Sequence, residues 1–268
     1  MKSQDKTAAQ ETLASVQETL FGAAWTIKIR KEDLVKWPDD DEHLHQYRIS
    51  VRVARSLVKF LKPFMRKSPQ QQLEKQLKTL QDPTSRMREL DVLVPLLEDE
   101  PALHEQVRQA QLANRAVFIE NLTSPETQQL LEQVQNSLKH PEWKKNVVAN
   151  GIAPESLAAR LDSRRQSCKK ALAELDLDDQ EAVHDLRKHA KAIRYVAREL
   201  TDCLPEGSAS LGERMRLMQD KLGKWCDANV NADLVTEVCG PDAQDAATRF
   251  RAEADAIMDE LKAAHQHR

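Results

Sequence analysis

The chain has 268 residues, of which 40% are hydrophobic and 31% charged, and its formal net charge is −3 at pH 7. That length and composition predict a globular protein with a sizeable core. A pI near 6.3 argues against a general nucleic-acid binder, for which a domain pI above about 9 is typical. With only 6 glycines and no alternating β-branched runs, the sequence predicts an all-α fold.

The N-terminus and the cysteines indicate a compartment. The first ten residues, MKSQDKTAAQ, lack an apolar signal segment, and the four cysteines are widely spaced without a CxxC pair. Both features predict a reduced, cytoplasmic protein. No apolar run approaches the length of a membrane span, so no contact with a membrane is expected.

Motifs for catalysis and for cofactors are missing from the sequence. We find no Walker loop, no dinucleotide-binding glycine motif and no nucleophile elbow. No group of histidines or cysteines has a third metal ligand at useful spacing. We therefore expect no enzymatic activity, no cofactor and no metal.

In chain order, the first two predicted helices follow from apolar residues at helical spacing. Those from Leu13 to Ile27 define the first helix, which Pro38 should end. Asp39, followed by Glu42 three positions later, resembles a capping box that opens the second helix.

The second helix carries a cluster of basic residues on one face, which we call the first basic rail. Its members recur at i, i+3, i+7, i+10 and i+14: His45, Arg48, Arg52, Arg55 and Lys59. At about 100° per residue they span a wedge about 80° wide and about 21 Å long. Residues 45–67 contain seven Lys or Arg and no Asp or Glu. Because neighbouring cations repel, this face is expected to bind an anion.

The middle of the chain predicts more helices, over 71–82, 101–121 and 125–139. Two arginines on the second of these, Arg108 and Arg115, are expected to lie away from any binding surface. The stretch 140–156, which contains Pro141, Gly151 and Pro154, is the predicted boundary between two helical halves of one domain spanning 1–268. The halves cover about 11–149 and 150–264.

The basic cluster occurs again 139 residues later, as a second basic rail: His184, Arg187, Lys191, Arg194 and Arg198. Apolar residues from Leu186 to Leu200 occupy the opposite face of this helix. Asp178, with Glu181 three positions later, repeats the capping-box pattern. Basic pairs on the preceding helices match at the same offset: Arg30-Lys31 and Lys169-Lys170. The repetition predicts an internal duplication and adds the two pairs to the candidate contacts.

Some polar residues in these motifs have simpler roles to consider. Asp91 and Asp227 each precede an apolar run, so N-capping is a simpler explanation than catalysis. His45 and His184 could either donate to an anion or form hydrogen bonds inside their bundles, and the sequence favours neither.

The motifs HQYRISVRVAR and HDLRKHAKAIRY, together with RELDV and LGKWCDANV, resemble those of the CHAD domains. The resemblance covers nearly the whole chain. It implies two related helical bundles that bind inorganic polyphosphate along a basic groove or pore where the halves meet. It assigns the contacts to the first four residues of each rail and suggests association with polyphosphate granules.

Two other functions stay open at this point. A histidine phosphotransfer bundle, in which His45 or His184 carries a phosphoryl group, would also show an HxxR pattern. A scaffold for acidic proteins or nucleic acid would also use basic helices. The four tryptophans do not interleave with the basic residues, which argues against single-strand binding by stacking, and no specific nucleic acid is expected.

Overall fold

The computed structural model describes residues 3–176, 179–204 and 213–266, and within these ranges it is all-α, as predicted. The helices are α1 (Ser3–Lys36), α2 (Asp41–Leu61), α3 (Lys67–Gln81), α4 (Pro83–Leu93), α5 (Pro101–Thr123), α6 (Pro125–Lys139), α7 (Lys145–Asn150), α8 (Pro154–Ala173), α9 (Gln180–Glu199), α10 (Glu213–Cys239) and α11 (Gln244–Gln266). Short 3₁₀ turns occur at Val94–Leu97, Thr201–Cys203 and Gly240–Ala243.

The described residues form two compact units, and neither is a continuous stretch of sequence. The first unit takes its residues from Met1–Pro83, Asn121–Lys169 and Lys191–Leu211, and the second from Thr84–Glu120, Lys170–Ala190 and Gly212–Arg268. Helices α8 and α9 each contribute to both units. The predicted halves, about 11–149 and 150–264, and the internal duplication both stay predictions.

A four-helix bundle makes up most of the first unit. Helix α1 packs against α2 and α6, and α3 packs against the same two helices, which closes the bundle. The apolar positions of α1 predicted from the sequence, Leu13 to Ile27, are buried in it. From α2 the bundle buries the face opposite the first basic rail, including Leu44, Tyr47 and Val51. Burial raises the pKa of the Tyr47 phenol far above its usual range.

The link from α6 to α8 crosses the beginning of α1, inside the first unit. Ile152 N–H donates to the Ala9 carbonyl at 2.9 Å. Gly151 has a φ of 77°, and a Cβ at this position would lie 2.2 Å from the Ala9 carbonyl carbon and oxygen. Only glycine fits here, since both the backbone conformation and the close approach exclude a side chain.

The second unit is organised around one apolar core. Side chains of α4, the Val94–Leu97 turn, α5, α10 and α11 share it, with Val107, Val235 and Phe250 almost fully buried. An ion pair lies beside this core: the guanidinium of Arg115 donates to the carboxylate of Asp91, which also accepts from the side chain of Gln111. The Asp91 side chain is 0% exposed and that of Arg115 is 7% exposed.

The positions of two aspartates correct the expectation that they are N-caps. Asp91 lies inside α4 and Asp227 inside α10, so neither is an N-cap. Arg115 was expected only to lie away from any binding surface, and the structure shows in addition that it is buried. The burial of this arginine could not be predicted from its neighbours in sequence, because the aspartate that compensates its charge is 24 residues away, on another helix.

The predicted capping of α2 and α9 is also revised. The N-cap of α2 is Asp40 rather than Asp39, and its carboxylate accepts from the Glu42 N–H at 2.8 Å. Glu42 therefore stands too close to the cap for the capping-box geometry. Before α9, Asp179 accepts from the Ala182 N–H at 3.0 Å, while Asp178 lies outside the described residues. Aspartate stabilises either helix by satisfying an N–H group of the first turn.

Candidate anion-binding surface

The first basic rail lies on the side of α2 that the bundle leaves accessible. Lys59 is exposed, and the other four members are half-buried: His45, Arg48, Arg52 and Arg55. Burial of the opposite face fixes the rotation of the helix, so the five side chains point to one side. Long basic side chains can lay their methylene stems along the apolar surface and keep the charge outside.

Helix α3 supplies polar partners to this rail, including an acid of the kind that residues 45–67 lack. Lys59 Nζ lies 3.4 Å from Glu74 Oε1, and Arg55 Nη1 donates to Gln81 Oε1 at 3.3 Å. The Arg55 contact is to a neutral amide, which orients the guanidinium without compensating its charge. Its Nε is buried and has no hydrogen-bond partner. Because a guanidinium has five N–H donors, Arg55 is held in place by one of them, while others on its terminal nitrogens stay available to an anion.

The part of the second basic rail in the second unit has an acidic partner. His184 is exposed, and Arg187 Nη2 lies 3.2 Å from Asp227 Oδ1 on α10. Gly223 stands one turn before Asp227, and a Cβ there would be 3.7 Å from the Arg187 guanidinium. The side chain of Arg187 is only 17% exposed, so α10 fixes its direction.

An acid also stands directly beside His184. A hydrogen bond from Lys188 lowers the pKa of Asp185, assisted by the charges of Lys188, His189 and His184. The second rail is thus less purely basic than the first, because Asp185 lies beside its first residue, His184, and Asp227 pairs with its second, Arg187.

The rest of the second rail belongs to the first unit. Lys191 is half-buried, while Arg194 and Arg198 are exposed and each lies over the ring of Tyr195, at 5.8 and 5.9 Å. Arg198 also pairs with its neighbour Glu199 at 2.6 Å. The apolar face predicted for this helix, from Leu186 to Leu200, is buried as expected.

The two basic pairs are dispersed. Arg30 pairs with Asp33 at 3.3 Å, and Lys31 donates to Gln128 at 3.0 Å. Lys170 pairs with Glu174 at 3.9 Å, and Lys169 is exposed.

A groove of the first unit is lined by Arg30, from one of the basic pairs, and by Arg198, from the second rail. Its volume is about 380 Å³, and Arg30, Arg198, Glu199 and Gln46 are among its lining residues. Gln46 lies on the flank of α2, away from the five residues of the first rail. In the groove, the structure brings Arg30 and Arg198 together, although each already has a carboxylate partner.

Two further arginines were missed by sequence reasoning, and they meet the end of the first rail. Arg160 Nε donates to the Phe60 carbonyl at 2.6 Å, and Arg164 Nη2 donates to the Lys59 carbonyl at 3.0 Å. Both lie on α8, about 100 residues away in sequence. Arginine at i and i+4 was the only local signal, and nothing in the sequence connects it with α2.

The two exposed tryptophans lie beside lysines that are close to them in sequence. Lys28 lies over the exposed ring of Trp25 at 5.3 Å, and Lys36 over that of Trp37 at 5.2 Å. Trp143 and Trp225 are buried. The lysines involved belong to neither rail, so these contacts do not turn the rails into a stacking platform.

Among the residues that the structure describes, no group of three or more His, Cys, Asp or Glu is arranged to hold a metal ion. None of the helices described here combines the length and the hydropathy that crossing a membrane requires.

Comparison with known proteins gives the class of this one. Residues 26–236 match the CHAD domain family, and the chain belongs to that family. It is similar in fold to the crystal structure of the CHAD domain from the plant Ricinus communis, with 21% identity and a TM-score of 0.77 over 97% of this chain and 93% of that one. It is also similar to PptA from Streptomyces chartreusis, with 14% identity and a TM-score of 0.71 over 95% and 97% of the two chains. No curated protein matches the chain.

Proposed function

We propose that this protein binds inorganic polyphosphate, without catalysis, through the basic face of α2 and the basic residues of α9. The observation that carries the proposal is the first basic rail, a face about 21 Å long in which five basic side chains project from a helix whose opposite side is buried. The chain also belongs to the CHAD family, and its resemblance to that family implies polyphosphate as the ligand.

A repeating anion suits such a face better than a single one. Each arginine offers paired N–H donors to phosphate oxygens, and lysine acts as a point charge. Bringing phosphates along the chain to the side chains of the rail would relieve the repulsion between neighbouring cations. We propose that the second rail and the pairs Arg30-Lys31 and Lys169-Lys170 add contacts, and that a groove between the two halves contains the ligand.

Location and partners follow from the ligand. Because polyphosphate would be the partner, we propose a cytoplasmic protein that associates with polyphosphate granules. No protein, specific nucleic acid or membrane is needed for this role.

A direct titration of the full chain with long-chain polyphosphate tests the proposal. Binding should weaken linearly on a log–log plot against salt, because each neutralised phosphate releases counterions, as it does for nucleic-acid backbones. Single-stranded DNA and an acidic peptide serve as competitors. If either displaces polyphosphate at physiological salt, the scaffold function is favoured instead. A phosphohistidine that forms and turns over, detected by mass spectrometry, would favour phosphotransfer.

A further inference from the structure

We infer that Arg160 and Arg164 form an anion subsite that continues the first basic rail past the C-terminal end of α2. The inference rests on the proposed function, and it adds two residues and a dependence on ligand length. The two side chains lie against the last turn of α2, where the rail ends at Lys59.

The geometry of the pair is fixed by two kinds of contact. Each guanidinium donates to a backbone carbonyl, Arg160 to that of Phe60 and Arg164 to that of Lys59. Each also lies over the Phe60 ring, with distances of 5.5 and 5.3 Å to its centroid. Because both side chains are held twice, an anion arriving here would find them already ordered, and little conformational entropy would be lost on binding.

The charge of this pair is not compensated by acids. No carboxylate lies within ion-pair distance of either guanidinium among the described residues, whereas Lys59 has Glu74 at 3.4 Å. Burial lowers the pKa of Arg160, and burial together with the charge of Arg160 lowers the pKa of Arg164. Both groups stay protonated at neutral pH, so two like charges are kept side by side. An anion placed between them would relieve that repulsion.

Capping alone does not account for the arrangement. Cations near a helix C-terminus interact favourably with the last carbonyl groups, and one arginine would suffice for this. A guanidinium has five N–H donors, and each of these two donates one hydrogen bond to a carbonyl. Most donors of the pair are therefore still available for phosphate oxygens.

The occupant follows from the position. A phosphate chain lying along α2 from His45 to Lys59 would reach Arg164 next, since its guanidinium is bonded to the Lys59 carbonyl. Only a chain longer than the rail can occupy both at once. Tripolyphosphate is much shorter than the rail of about 21 Å. Tripolyphosphate can bind elsewhere along the rail when the subsite is lost, whereas a long chain loses a contact that it made in addition to the rail. The subsite should therefore matter more for long-chain polyphosphate than for tripolyphosphate.

The test compares two double variants. One carries Arg160→Gln and Arg164→Gln and loses both charges, and the other carries Arg160→Lys and Arg164→Lys and keeps them. For the Gln variant we expect affinity for long-chain polyphosphate to fall about tenfold and the salt slope to fall by up to two, since up to two phosphate contacts are lost. Affinity for tripolyphosphate should stay within about twofold of wild type. The Lys variant should keep most of the long-chain affinity and the full salt slope.

Several outcomes would overturn the subsite. Unchanged long-chain affinity in a folded Gln variant is one, and equal losses in the Gln and Lys variants, which point to a purely structural role, are another. If the double Gln variant does not fold, Arg164→Gln alone is measured and should show about half of the loss in slope. Failure of the proposed function looks different: the wild-type chain then fails to bind either polyphosphate.

Discussion

The ion pair between Arg115 and Asp91 allows a stability prediction whose size follows from burial. The Asp91 side chain is 0% exposed and that of Arg115 is 7% exposed. Replacing Arg115 by Met would leave the aspartate charged, buried and short of its main donor. Removing one partner of such a pair typically costs about 3–5 kcal/mol, several times the cost of an ordinary surface substitution. We expect Arg115→Met to destabilise the second unit by that amount.

Urea denaturation measures this loss. Far-UV circular dichroism follows the unfolding of both units. With an m-value near 3 kcal/mol per molar, a loss of about 4 kcal/mol lowers the midpoint by more than 1 M urea. The matched control is Arg108→Met on the same helix. This arginine is exposed, and its bond to Gln111 is long, at 3.5 Å, so a change within about 0.5 kcal/mol is expected.

A second variant separates charge from shape. Adding Asp91→Asn to Arg115→Met removes the uncompensated charge while keeping an oxygen that can accept from Gln111. This double variant should regain a large part of the lost stability. Equal midpoints for Arg108→Met and Arg115→Met would refute the reasoning, because burial of the pair would then carry no energetic consequence.

Further predictions concern the backbone, pH and charge. Gly151→Ala should lower the free energy of unfolding by more than about 2 kcal/mol, while Gly240→Ala, which has a φ of 66° but open space around it, should cost only about 1–2 kcal/mol in denaturant titrations. Lowering the pH from about 8 to 6 should strengthen polyphosphate binding if His45 and His184 contact it, and replacing both by Gln should remove this dependence without unfolding the chain. Asp227→Asn should raise polyphosphate affinity about two- to threefold, because an exposed ion pair is worth little and its removal releases Arg187 for the ligand. A lower affinity would show that Asp227 orients Arg187 instead.

Local periodicity explains which parts of the fold could be predicted. The buried positions of α1 and the apolar face of α9 repeat every three or four residues, and burial follows that repeat. The same repeat placed the first rail on the accessible side of α2. Asp39 and Asp40 show where local patterns fail, because both are good caps and the backbone decides between them.

Partners that are distant in sequence explain what could not be predicted. From the sequence alone Asp91 resembles a cap, because its partner Arg115 is 24 residues away. Nothing near Arg164 in sequence indicates its bond to the Lys59 carbonyl of α2. Glu74 compensates Lys59 from another helix. In each case the local residue type was informative, while the contact depended on how the helices pack.

The most direct test of the central claim is polyphosphate affinity after neutralising part of the first rail. Arg48→Gln combined with Arg55→Gln removes two charges from α2 while leaving its buried face untouched. The matched control, Arg108→Gln combined with Arg251→Gln, removes two charges from exposed positions on α5 and α11. Circular dichroism establishes that both variants are folded before they are compared.

Isothermal titration with long-chain polyphosphate at several salt concentrations then compares the two variants. We predict that the rail variant loses at least tenfold in affinity and about two in the log–log salt slope, because two phosphate contacts are removed. The control should stay within about twofold of wild type in affinity and keep its slope. Equal losses in the two folded variants would contradict the account, since binding would then be attraction to the whole charged surface rather than to the basic face of α2.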